Sequence, residues 1–81
     1  MSRPHAATLV FEYTDERAAR LVAGSVEQEI DDIEGDRSRA VLSRSGETVE
    51  LRVEADDLVA LRAGVNTWLS LVEVAESVAE V

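Results

Sequence analysis

The most regular pattern of apolar positions lies in the last third of the chain, from Asp56 to Val81. Apolar residues recur there at alternating intervals of three and four, which keeps them on one stripe of a helix that turns about 100° per residue. We expect this stripe to face the core of the domain. Its members are Leu58, Leu61, Val65, Trp68, Val72, Ala75 and Ala79.

A second apolar run on the same predicted helix lies roughly 120° around its axis from the first. One sheet cannot bury both runs, so the pattern predicts that a partner protein covers the second. The remaining arc is polar, which argues against a membrane-spanning helix and against any membrane as a partner. The second run consists of Thr67, Leu71, Val74, Val78 and Val81.

The start of the chain alternates with a period of two, which predicts a half-buried strand from about Ala6 to Tyr13 after a loose N-terminal arm at residues 1–5. Thr14 and Asp15 are good N-cap residues and predict the start of a helix. That helix has an apolar stripe and ends near 32–35, where polar residues and a glycine follow. The stripe consists of Ala18, Ala19, Val22, Val26, Ile30 and Ile33, and Leu21 falls outside it, as either a singly exposed leucine or a partner contact.

The next unit is a predicted hairpin with Ser45 and Gly46 as its two-residue turn. This turn pairs Arg44 with Glu47 and Leu42 with Val49. It puts the apolar residues of both strands on one face and leaves the other face polar, as a sheet with one solvent-exposed face requires. Asp56 and Asp57 then provide the cap of the last helix.

The order of elements is therefore strand, helix, strand, strand, helix. The simplest α+β arrangement is a three-stranded antiparallel sheet in the order 1-3-2 with both helices on one face, formed by a single domain over residues 1–81. Such a sheet has two open edges, and an open edge invites dimerisation by sheet extension.

Composition strengthens the expectation of an assembly protein. An 81-residue chain without cysteine has a thin core and no disulfide to reinforce it. Oligomerisation is then the remaining means of stabilisation. The formal net charge is −9, and all eight basic residues are arginines. This surface is typical of adaptation to high salt, in which carboxylates keep a protein soluble. Nothing in the first residues resembles a signal peptide, so we expect a cytoplasmic protein.

The sequence contains few residues that could catalyse a reaction. The single histidine, His5, falls in the predicted arm, and no nucleophile or metal-ligand motif is present, so we expect no catalysis and no cofactor. The arginines offer a different chemistry. A patch of guanidinium groups on the hairpin would suit phosphate, but nearby glutamates would equally pair with them. The residues of this possible tRNA contact are Arg37, Arg39, Arg44 and Arg52.

The stretch from Leu51 to Leu69 resembles the Pcc family, the small dimerising subunit of the KEOPS complex, whose mammalian relatives are the CTAG/LAGE-like proteins. A strand ending in alanine and aspartate precedes a helix that reads Ala-Leu-Arg-Ala-x-x-Asn-Ser-x-Leu in the family. Residues 60–69 match this pattern, with Arg62 and Asn66 in place and Thr67 where the family has serine. The opening strand, with Phe11 and Tyr13 before an acidic helix start, also fits.

The resemblance implies a non-catalytic scaffold. KEOPS makes N6-threonylcarbamoyladenosine in tRNA, and its chemistry belongs to a Kae-type subunit of the ATPase fold. Proteins of this family bridge two such subunits as a homodimer and assist tRNA binding. Their helical layer docks on helices of the catalytic subunit, so the expected contact residues are Leu21, Thr67, Leu71, Val74 and Val78. Gly64 suggests the close approach of another backbone. The alternative is a free-standing RNA-binding homodimer that uses the arginine-rich sheet face.

The acidic surface generates a first prediction. The melting temperature of the isolated chain should rise between dilute buffer and molar KCl, because salt at about 1 M screens charge repulsion beyond about 3 Å. Thermal unfolding followed by circular dichroism measures this directly. A midpoint that stays constant or falls with KCl would contradict the salt-adapted interpretation.

Overall fold

The elements follow each other as β1 (His5–Glu12), α1 (Glu16–Ile33), β2 (Ser38–Ser45), β3 (Thr48–Ala55) and α2 (Leu58–Ala79). The computed structural model describes residues 3–33 and 37–80, with side chains for 3–30 and 37–80. The three strands form one antiparallel sheet in the order β1-β3-β2, and both helices pack on the same face of it. The predicted fold class and strand order are confirmed.

The core lies between the sheet and the two helices. Leu51 and Val53 of the central strand are completely buried under Val22 and Val26 of α1 and under Trp68 of α2. β1 alternates between half-buried and exposed residues along its whole length, as the period of two predicts. The opposite face of the sheet has no helix on it within the described part of the chain. That face is the open face of the sheet, and its residues are Ala6, Thr8, Val10 and Glu12 of β1, Thr48, Glu50, Arg52 and Glu54 of β3, and Arg39, Val41, Ser43 and Ser45 of β2.

Aspartates begin both helices, as predicted. The carboxylate of Asp15 accepts a hydrogen bond from the amide of Ala18 at 2.7 Å, and that of Asp57 accepts one from the amide of Ala60 at 2.8 Å. Each bond satisfies an amide in a first helical turn that has no partner within the helix. The bond from Ala60 and the guanidinium of Arg37 hold the pKa of Asp57 below its usual range. At the other end, Glu80 takes a left-handed conformation and closes α2.

The predicted hairpin register is wrong by two residues. Ser45 pairs with Thr48 and Leu42 with Leu51, so the turn consists of Gly46 and Glu47. Gly46 has a φ of 60°, and a two-residue loop of type II′ requires glycine at its first position. A slip of two residues leaves every side chain on its predicted face, which is why the inward and outward assignments survive.

Two further expectations fail at the ends of elements. His5 is not in a loose arm, because it begins β1 and pairs with Ala55. Leu58 does not face the core and is exposed. It is the first residue of α2, and because side chains of a helix tilt toward its N terminus, Leu58 projects beyond the turns that pack on the sheet.

Gly64 packs closely against the sheet of its own chain. A Cβ atom at this position would lie 3.0 Å from Cγ1 of Val53, so the missing side chain lets α2 approach β3. The close neighbour is thus a side chain of the central strand and not another backbone, as the sequence suggested.

The helix α2 is long and apolar enough to cross a membrane by length and composition alone. A core helix of a soluble domain meets the same criteria. Here α2 buries Trp68, Val72 and Ala75 within the fold.

Two glycine substitutions test the packing at Gly64. Gly24 lies in α1 with open space around the position of a Cβ atom, so Gly24→Ala should stabilise the fold by roughly 0.5–1 kcal/mol through helix propensity alone. Gly64→Ala should stabilise it less, or destabilise it, because the methyl group crowds Val53. Chemical denaturation of both variants measures the difference. A Gly64→Ala variant at least as stable as Gly24→Ala would show that α2 does not need this glycine.

Candidate docking surface

A shallow groove runs between the two helices on the surface of the helical layer. It has a volume of about 110 Å³. Its walls are mostly apolar, with Glu29 as the one charged residue among those that line it. We name it the α1–α2 groove, and it is lined by Ser25, Val26, Glu29, Leu71, Val74, Ala75 and Val78.

The second apolar run of α2 forms one wall of this groove and is largely unburied. The side chain of Val74 is 60% exposed and that of Val78 is 76% exposed. Leu71 is half-buried and packs against the core, so it belongs partly to the fold and partly to the groove. Thr67 lies one turn before Leu71 and is exposed. Val81 lies outside the described residues. The run is therefore not enclosed by the described chain, although Leu71 contributes less free surface than the sequence indicated.

The fifth predicted contact residue, Leu21, lies on the α1 side of the groove. It is one helical turn before Ser25, and residues four apart share a face of a helix. Its side chain is 40% exposed. Leu21 thus extends the wall formed by α1, opposite the wall formed by Val74 and Val78.

The two residues of the helical motif lie elsewhere. Arg62 and Asn66 are exposed on the side of α2 that faces away from the groove. Glu76 lies on the same side of α2 and accepts a hydrogen bond of 2.7 Å from the hydroxyl of Tyr13, which comes directly after β1. This side of the helix therefore lies over β1. Burial, and then this carboxylate, raise the pKa of Tyr13 well above its usual range.

The four arginines of the possible tRNA contact do not form one patch. Arg39 and Arg52 share the open face of the sheet, where both approach the carboxylate of Glu54, with nitrogen to oxygen distances of 3.9 and 3.0 Å. This face also carries Glu12 and Glu50. Two arginines against three glutamates leave its formal charge slightly negative, so the structure favours mutual pairing there over a free positive patch.

The other two arginines contact residues at the ends of secondary-structure elements. Arg37 donates to Asp57, the cap residue of α2, and the paired carboxylate raises the pKa of its guanidinium. Arg44 lies on the helix side of β2, with its Nη1 atom 3.0 Å from the carbonyl of Gly46 and 3.8 Å from Oε1 of Glu16. The residue opposite it in β3 is the buried Val49. Arg44 is therefore separated from Arg39 and Arg52 by the thickness of the sheet.

An open polar hollow of about 470 Å³ lies where the end of β1 meets the end of α2. It contains Tyr13, and four of its nine lining residues carry carboxylates. No group of three or more histidine or acidic residues suitable for a metal ion occurs among the described residues. The lining residues are Glu12, Tyr13, Thr14, Asp15, Arg17, Ala18, Glu76, Ala79 and Glu80.

Several apolar side chains outside the groove are exposed. Val10 and Val41 lie on the open face of the sheet, and Leu58, Val59 and Leu69 lie on α2 outside the groove. The alternation within β1 and β2 does mark Val10 and Val41 as outward positions, because each sits between two inward residues. Leu69 carries no such signal, since it lies at the border between the core stripe, at Val65 and Val72, and the polar arc, at Asn66 and Glu73.

Comparison with known proteins identifies the family. The family profile described as "Transcription factor Pcc1" matches residues 6–80. A chain in the crystal structure of the binary complex Gon7-Pcc1 has the same fold, with a TM-score of 0.85, 18% identity, and coverage of 98% of this chain and 96% of that chain. No curated protein sequence matches the chain. Because the profile spans nearly every residue, the chain belongs to the Pcc1 family, a family of KEOPS-associated subunits.

Proposed function

We propose that this protein is a non-catalytic scaffold subunit of KEOPS that bridges two Kae-type catalytic subunits as a homodimer and thereby assists tRNA binding. The observation that carries the proposal is the α1–α2 groove, whose apolar walls are left open by the described fold. Family membership supports the association with KEOPS.

The groove suits a helical partner. Its two walls are helices, and an apolar helix face that lies between them completes a bundle with the usual helix spacing of 8–10 Å. Burying an aliphatic side chain completely contributes about 1.5–3 kcal/mol. Leu21, Val74 and Val78 together therefore provide several kcal/mol, part of which offsets the loss of freedom on association. The catalytic subunit should supply one or two amphipathic helices, with a basic residue placed to meet Glu29.

The acidic surface supports an indirect role toward tRNA. A chain with a formal net charge of −9 repels phosphate, and Arg39 and Arg52 are already paired with Glu54. Assistance then comes mainly from holding two catalytic subunits in a fixed arrangement on one substrate. A free-standing RNA-binding dimer, the alternative from sequence, would need the open face of the sheet to carry positive charge.

A first experiment tests the docking surface. Val74→Asp combined with Val78→Asp should weaken binding to the purified Kae-type subunit by at least about a hundredfold, because two carboxylates replace apolar groups that would be buried. Isothermal titration calorimetry in molar KCl gives the affinity. Both valines are exposed in the isolated chain, so the variant should keep its fold.

Val59→Asp is the matched control. Val59 is equally exposed on the same helix but points away from both the groove and the sheet. It should bind as the unaltered chain does. Equal loss of binding in both variants, or in neither, would contradict docking through the groove.

A second experiment separates the scaffold from the RNA-binding alternative. Arg39→Glu combined with Arg52→Glu should lower the affinity of the assembled complex for tRNA by less than about fivefold and leave the affinity for the catalytic subunit unchanged. Filter binding at a fixed salt concentration measures the first quantity. If this variant abolished tRNA modification while Leu71→Asp with Val74→Asp left it intact, the RNA-binding alternative would replace the scaffold.

A further inference from the structure

The outer side of β2 (Ser38–Ser45), which we name the β2 edge, differs in charge from the rest of the protein. β2 carries two arginines and no acidic residue, whereas β1, α1, β3 and α2 each have a negative formal charge when histidine is neutral. Among the described elements it is therefore the positive one, in a chain with a formal net charge of −9. Such a local reversal of sign favours a partner of negative charge.

The backbone of the β2 edge is open to another strand. The amide of Asp56 donates to the carbonyl of Arg37 at 2.9 Å, so the odd-numbered residues along β2 point their backbone groups at β3. In an antiparallel ladder the alternate residues point the other way. The amides and carbonyls of Ala40 and Leu42 therefore face outward, and within the described chain β2 pairs with β3 alone.

The two arginines of β2 lie near its two ends and on opposite faces of the sheet. Arg39 is on the open face and Arg44 on the helix side, with side chains 51% and 31% exposed. Between them the strand reads Ala-Val-Leu-Ser, without charge, proline or glycine. Charges on an edge strand usually prevent unspecific pairing. Here they leave the middle of the edge accessible and select the charge of the strand that joins it.

Both guanidinium groups keep donors for a further partner. Nε of Arg39 is 3.9 Å from Oε1 of Glu54, too far for a hydrogen bond, and the other oxygen of Glu54 is 3.0 Å from Nε of Arg52. Nη1 of Arg44 donates to the carbonyl of Gly46 at 3.0 Å. A guanidinium group has several N–H donors in a planar fork, so each of these two arginines can still bind a carboxylate.

We propose that the β2 edge binds an extended acidic segment of another protein, which joins the sheet as an antiparallel strand. Arg39 and Arg44 are five positions apart. Two acidic residues at the same separation in the segment lie opposite them and point to opposite faces, as the arginines do. Uncharged residues between them cover the flank of Val41, which is 42% exposed. The edge is separate from the α1–α2 groove, so this inference does not rest on the proposed function.

The arrangement suits a peptide better than a nucleic acid. Because the two arginines point to opposite faces, a phosphate backbone that lies along either face meets only one of them. The face that carries Arg39 also carries Glu50 and Glu54, which repel phosphate. An added peptide strand lies in the plane of the sheet, reaches both arginines, and pairs its backbone with the outward amides and carbonyls.

The test uses the peptide Thr-Glu-Thr-Val-Val-Thr-Glu-Thr with blocked ends, added to the full chain at the lowest KCl concentration at which the chain is folded, since salt screens ion pairs. Amide hydrogen exchange is followed by NMR. Exchange at Ala40 and Leu42 should slow at least about tenfold at saturation, because their amides gain a hydrogen bond. The amides of β1 should not change. Absence of binding, or protection at β1 instead of β2, would overturn the proposal.

A matched pair of variants tests the charge. Arg39→Gln should raise the dissociation constant of the peptide at least about threefold. Arg52→Gln removes an arginine from the same face but from the central strand, and should change this constant less than about twofold. A peptide with glutamine in place of glutamate should bind the unaltered chain more weakly by at least about tenfold. Equal effects of the two variants, or equal binding of the two peptides, would overturn the acidic specificity and with it the proposal.

Two other occupants of the β2 edge are outcomes that would also overturn the proposal. A single-stranded oligouridine that bound more tightly than the peptide and shifted the amide signals of Ala40 and Leu42 would make the edge a nucleic-acid site. Protection of these amides without peptide, increasing with the concentration of the chain, would show that a second copy occupies the edge. The groove experiment with Val74→Asp and Val78→Asp depends on neither result.

Discussion

One constraint shapes this protein: α2 is apolar around more of its circumference than one small domain can cover. A three-stranded sheet with helices on a single face buries one stripe of each helix, here Trp68, Val72 and Ala75 of α2. The adjoining flank meets only the edge of α1 and stays open at Val74 and Val78. A domain of this size gains little stability from its own core, so surplus apolar surface is more useful between subunits than within one.

The same helix thus has three distinct sides. One faces the sheet and maintains the fold. One opens into the α1–α2 groove, where we place the catalytic subunit. The third lies over β1 and carries Arg62, Asn66 and Glu76, the last of which accepts the hydrogen bond from Tyr13. The groove side and the β1 side of α2 are separate, so a contact at one of them leaves the other free. The polar remainder of the surface carries an excess of carboxylates, which disfavours unspecific contact with nucleic acid.

The elements and their order could be predicted because local signals agree with tertiary structure. Asp15 and Asp57 cap their helices through hydrogen bonds within one helical turn. The alternation of β1 requires only a sheet with one buried face and one solvent-exposed face. The hairpin register could not be predicted with the same certainty. A turn at Ser45 and Gly46 and a turn at Gly46 and Glu47 give the same faces, and only the positive φ of Gly46 at the first turn position distinguishes them.

The candidate surfaces were harder to predict from the sequence, because they depend on which secondary-structure elements pack next to each other. Periodicity marks the second run of α2, but it does not say that Leu71 reaches the core while Val78 does not. That distinction arises from where α1 crosses α2. The arginines show the same limit. Arg44 and Arg52 are close in sequence and both lie on the hairpin, yet the pleat puts them on opposite faces of the sheet.

The open flank of α2 should be covered when the catalytic subunit binds, and methyl-labelled NMR of the valines tests this most directly. Adding the Kae-type subunit should broaden or shift the methyl signals of Val74 and Val78 and leave those of Val59 and Val41 in place. If the signals of Val74 and Val78 stayed unchanged at saturating concentrations of a subunit that demonstrably binds, the flank would be free in the complex and the account would be wrong.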